Sequence, residues 1–94
     1  MKIVWSPRAI RNLIRLSEHI ERDSKRNAAL VAGRIVKALD VLETHPAMGR
    51  PGRVLGTREL VVPGTPYIIP YRARGEYLDL LAIFHGHQKW PTKL

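Results

Sequence analysis

His85 and His87 stand two residues apart near the end of a 94-residue chain. On extended backbone that spacing turns both imidazoles to one face. Histidine titrates near neutrality, so the pair has the acid–base capacity that metal-free RNA cleavage requires: one group takes the ribose 2′-OH proton, another protonates the leaving 5′-oxygen. An arginine such as Arg58 or Arg72 would then hold the charge that builds on the phosphate. The plainer role is that His85 caps a strand end and His87 is a surface residue. Two close histidines without a third ligand do not make a zinc site, so no metal is expected, and no cofactor either.

A second group is basic. Arg50, Arg53, Arg58, Arg72 and Arg74 fall between Met48 and Arg74, with Glu59 the one acid among them and no lysine. A guanidinium fork suits phosphate or carboxylate better than the point charge of lysine does. Brought to one side of a sheet, these groups would grip a phosphate backbone or an acidic protein surface; scattered, they would only keep the chain soluble. Trp90, like Trp5 at the other end, either anchors a partner or packs over the rim of a small core. Tyr67 and Tyr71 share one strand face and are expected to pack in the sheet.

The elements that must position these groups follow from pattern. Ser6-Pro7 opens a helix: the serine caps and the proline loses no hydrogen bond at the first position. Ile10, Leu13, Ile14, Ser17 and Ile20 then recur at helical spacing. Asp23-Ser-Lys-Arg-Asn27 breaks that pattern and offers a new cap. A second helix follows on Ala28, Val31, Ile35, Ala38, Leu39 and Leu42, ending at His45-Pro46. Pro46 to Arg53, rich in glycine and proline, is predicted to be a loop. Beyond it Thr57–Val62, Tyr67–Arg72 and Tyr77–Phe84 are strand-like, separated by Pro63-Gly-Thr-Pro66 and Ala73-Arg-Gly-Glu76. Pro70 inside the second run calls for a bulge or an unpaired edge. The order is β-α-α-β-β-β: an α+β fold with a helical hairpin packed on a small, mainly antiparallel sheet.

Composition narrows the class. Sixteen Lys+Arg against eight Asp+Glu give a net charge of +8, which favours an acidic partner. The absence of cysteine excludes a disulfide scaffold and a thiol nucleophile. No apolar run reaches the roughly 18 residues of a membrane span, and Met1–Pro7 lacks the apolar stretch of a signal peptide. One domain over residues 1–94, cytoplasmic and without a membrane role, is the expectation.

Five segments carry a resemblance. Trp5-Ser-Pro-Arg-Ala9, Pro46-Ala-Met-Gly-Arg50, Thr57-Arg-Glu-Leu60, Tyr67-Ile-Ile-Pro-Tyr-Arg72 and Leu81-Ala-Ile-Phe-His-Gly86 with Trp90 resemble the RelE/ParE toxin superfamily, in the same order, and most of all its ParE-like branch. That resemblance implies a toxin of a bacterial type II toxin–antitoxin module, with a small cognate antitoxin as partner in a hetero-oligomer. The ParE branch implies poisoning of DNA gyrase without assigned cleavage chemistry. The RelE branch implies cleavage of messenger RNA in the ribosomal A site. The segment His85-Gly-His-Gln-Lys-Trp90 departs from the His-Gly-Arg-Arg-Asp-Trp usual in ParE-like chains, and the lysines and terminal tyrosine of RelE nucleases are missing.

These observations leave three readings. The first is a gyrase-directed toxin acting through Arg50, Arg53, Arg58, Arg72, Arg74 and Trp90. The second is a ribosome-dependent endonuclease using Arg58, Arg72, His85 and His87. The third is a basic nucleic-acid-binding module without toxicity. Leu16, Leu30, Val36 and Val41 lie off the main helical stripes. They either widen the core-facing surface or receive an amphipathic antitoxin helix, and the resemblance favours the latter.

Overall fold

The computed structural model describes residues 1–94. Its elements are β1 (Lys2–Trp5), α1 (Pro7–Asp23), α2 (Lys25–Thr44), β2 (Arg50–Pro51), β3 (Arg58–Val61), β4 (Tyr67–Arg74), β5 (Tyr77–Leu80) and β6 (Phe84–His85). No helix is long and apolar enough to cross a membrane.

Both helices begin as their sequences dictate. Ser6 accepts the Ala9 N–H at 3.0 Å, with Pro7 next in line. The hairpin joint is a single residue. The Ser24 N–H closes α1 on the Ile20 carbonyl, while its hydroxyl accepts the Asn27 N–H at 3.1 Å and so opens α2. An extended conformation at Ser24 (φ −162°, ψ 114°) separates the two axes.

The sheet runs β1-β5-β4-β3-β2, with β6 also paired to β4. β1 lies parallel to β5 and every other pairing is antiparallel. It is larger than the three-strand meander predicted. β1 joins one edge, and Arg50–Pro51, expected as loop, pairs with Arg58 and Glu59 at the other. The last predicted strand is split in two. Tyr71 pairs with Leu80 and Ile68 with Phe84, so residues 81–83 face only Ile69 and Pro70. This is a β-bulge. It sits opposite Pro70, whose carbonyl accepts the Leu81 N–H at 2.9 Å and whose missing donor would otherwise leave a gap in the ladder. α1 holds the bulge: the Ser6 hydroxyl donates to the Leu81 carbonyl at 3.1 Å, and the Ile83 N–H donates to Asn12 Oδ1 at 3.0 Å.

Leu60, Ile69, Tyr71, Leu78 and Leu80 turn one sheet face toward Ala9, Ile35, Ala38, Leu39 and Leu42, forming the core. α2 buries the stripe its spacing predicts. α1 is rotated from expectation, because Ile10 and Ile14 are exposed while Ala9, Leu13 and Leu16 face inward. Ala9 decides this: without bulk, it lets the α1 backbone come down onto the sheet.

Candidate functional site

The strand register divides the arginines. Arg50 is opposite Glu59, which shares the helix-free face with Pro70, Arg72, Arg74 and Asp79. The Glu59 carboxylate is only 3% exposed. Its Oε1 accepts from Arg50 Nε (3.1 Å) and Nη2 (3.0 Å), and its Oε2 from the Arg53 N–H (2.8 Å) and Nε (3.2 Å). Burial pushes this carboxyl upward, but the Arg53 N–H and the two guanidinium groups outweigh it and hold it below the ordinary value of 4.5. The Arg53 guanidinium also lies 3.5 Å over the Trp90 ring, and that ring packs 4.8 Å from Phe84. A clasp running Arg50–Glu59–Arg53–Trp90–Phe84 thus fastens the C-terminal segment to the helix-free face.

Further along that face Arg74 forms a two-pronged pair with Asp79, at 2.8 and 3.1 Å. The hydrogen bonds from Arg74 keep the Asp79 carboxyl below its usual 3.8. Arg72, opposite Asp79 in the ladder, is exposed, and its guanidinium makes no hydrogen bond within the chain. Four guanidinium groups therefore stand with two carboxylates, and Arg72 has no ion pair.

Arg58 is on the other face. It pairs in register with Tyr71, and its Nη1 donates to the Gly49 carbonyl at 2.8 Å. The Tyr71 hydroxyl accepts the Gly49 N–H (2.9 Å) and donates to the Pro46 carbonyl (2.7 Å). Burial raises the pKa of that hydroxyl. A Cβ on Gly49 would meet the Tyr71 ring at 2.6 Å, so only glycine lets the 46–49 loop lie this close. Sequence reasoning assigned Tyr71 to packing and missed this anchoring contact.

His85 is on the helix side too. His85 pairs with Tyr67, their rings meeting edge-on at 5.9 Å. Its N–H donates to Gln88 Oε1 (2.6 Å), and its Nδ1 accepts the His87 N–H (3.1 Å). The strand ends at His85, and His87 occupies a turn closed by the Gln88 N–H on the His85 carbonyl at 3.1 Å. The extended pairing predicted for His85 and His87 is therefore not formed, although the two rings lie 5.6 Å apart. The bulge is the reason His85 leaves the arginine face. Counting by twos from Asp79 would place residue 85 on the same face as Arg72, and one extra residue reverses every side chain after it. Arg58 is four residues along β4 and two strand spacings across from His85, about 16 Å at roughly 3.3 Å per residue and 4.8 Å per strand, and Arg72 is on the opposite face. The four residues considered for cleavage chemistry do not form one site. No group of three metal-binding side chains comes together either.

Of the helical residues considered for a partner, Leu16 packs against the core. Leu30, Val36 and Val41 are exposed, Val36 most of all at 58%. At 100° per residue Leu30 and Val41 share one side of α2 and Val36 points away from it. Val41 lines a groove of about 510 Å³ with Ala38, Met48, Leu60 and Pro63, rimmed by Arg34 and Lys37. Beyond Glu59 the outer edge of β3 has no strand partner, so this groove meets an open sheet edge.

The fold defines the class: a small basic α+β domain with a helical hairpin on one sheet face and clustered arginines on the other. Residues 3–90 match the family described as "ParE toxin of type II toxin-antitoxin system, parDE", and the chain belongs to that family. It is 46% identical over 93 residues to the protein named "Putative toxin Y4kP" of Sinorhizobium fredii strain NGR234, covering 99% of this chain and 96% of that one. It also resembles a chain of the solved "Chromosomal ParDE TA system from P. aeruginosa", with a TM-score of 0.80 and 25% identity over 90% of this chain and 95% of that chain.

Proposed function

We propose that this ParE-family toxin inhibits DNA gyrase by binding, without cleavage chemistry, and that a cognate antitoxin neutralises it. The observation that carries this reading is the segregation of charge from acid–base groups. Arg50, Arg53, Arg72, Arg74 and Trp90 are on the helix-free face, while His85 faces the helices. Arg72 is the free cation of that surface and offers the planar fork that an acidic protein or a phosphate takes up. The antitoxin is assigned to the groove at Val41, Met48 and Leu60. The basic rim of Arg34 and Lys37 matches an acidic amphipathic segment, and the open β3 edge offers main-chain pairing beside it.

Two assays side by side test the reading. Purified toxin should block gyrase supercoiling, and transcripts from cells expressing it should show no new cuts at codon boundaries. Arg72→Ala should weaken the inhibition about ten- to hundredfold, the worth of one charge-assisted contact at about 1.5–3 kcal/mol. His87→Ala should leave it unchanged. Val41→Lys should keep toxicity and lose antitoxin rescue. Codon-spaced cleavage that disappears with His87→Ala would instead establish the nuclease reading.

A further inference from the structure

Asn12, Arg15 and His19 follow one another at helical spacing along α1, and the turn after β6 faces them. Together with Leu16, Tyr67, Ile83, His85 and Gln88 they line a cleft of about 370 Å³, within the usual range of small-ligand sites. No carboxylate lines it. Three of its side-chain acceptors, moreover, already receive backbone donors. Asn12 Oδ1 is taken by the Ile83 N–H, Gln88 Oε1 by the His85 N–H, and His85 Nδ1 by the His87 N–H. With its oxygen or Nδ1 held by the backbone, each of these groups has an N–H side left for a ligand: the Asn12 and Gln88 amide NH₂ groups and, in the neutral ring, His85 Nε2–H. The Arg15 guanidinium adds a fixed positive charge, His19 adds a second imidazole, and the Tyr67 hydroxyl is unengaged within the chain.

We infer that this cleft between α1 and the β6 turn binds a phosphate-type oxyanion. A site whose amides and imidazole are oriented as donors by the backbone costs little reorganisation when an anion enters. Phosphate fits better than carboxylate because its oxygens can engage donors arriving from α1 on one side and from the turn on the other. The cleft is on the helix side of the sheet, away from the arginine face, so the inference stands whether or not gyrase is the target.

The test uses the full chain and inorganic phosphate at constant ionic strength, following the ring proton signals of the four histidines by NMR. His19 and His85 should shift saturably, while His45, at the far end of α2, should not. Arg15→Gln should weaken binding tenfold or more, His19→Ala should weaken it too, and Lys37→Gln, on α2 at a separate groove, should bind as the parent does. Adenosine 5′-monophosphate identifies the source. Tighter binding accompanied by a Tyr67 ring shift indicates a nucleotide, and equal binding indicates free phosphate. No saturable shift, an equal response to acetate, or undiminished binding by Arg15→Gln would each overturn the inference.

Discussion

Glu59 is the residue on which the helix-free face depends, because one buried carboxylate orients two arginines and, through Arg53, the indole of Trp90. Replacing it with glutamine should lower stability by about 1–3 kcal/mol, since both arginines are half-exposed and can turn to water. Because folding lowers the Glu59 pKa from 4.5, its contribution is complete above that pH and is lost as the pH falls through the folded value. Urea unfolding at pH 7 and pH 3 should therefore show a larger acid loss in the parent than in Glu59→Gln. The type of these residues was readable in the sequence, and their grouping was not. Five arginines near one acid suggested a patch, but parity in the ladder sends Arg58 to the other face, where it ties down Gly49.

The helices were legible because their caps are local. Ser6-Pro7 and Ser24 sit where backbone N–H groups lack partners, and each acts within three residues of itself. Ser24→Ala should cost about 1 kcal/mol and lower the melting temperature measured by circular dichroism, with Ser24→Gly costing only a few tenths. The strand ends were less legible. Pro70 gave notice of a bulge, but not which strand would hold the extra residue. That depends on Ser6 and Asn12 of α1, some seventy positions earlier, which fix Leu81 and Ile83. The consequence is a change of face for Phe84 and His85. Trp90, expected either to anchor a partner or to pack over the rim of the core, holds the C-terminal segment against Phe84 and Arg53. Trp90→Ala should free it, making limited proteolysis after Lys89 or Lys93 faster while the helical signal stays unchanged.

For the molecule as a whole, the two faces of one sheet differ: the helix-covered side supplies the core and the donor cleft, and the other side carries the Arg50–Glu59–Arg53 clasp and Arg72. The groove at Val41 adds a third surface at the β3 edge, so an antitoxin seated there would leave Arg72 uncovered unless a further segment crossed the sheet. The parallel pairing at the opposite edge has a consequence in time. Ile3 meets Leu78, so the first strand made must wait for nearly the last. Contacts this distant in sequence slow folding, and refolding from urea should take milliseconds to seconds rather than microseconds. The sheet cannot close until Tyr77–Leu80 has been synthesised, so whatever the finished fold binds, it binds only after that point.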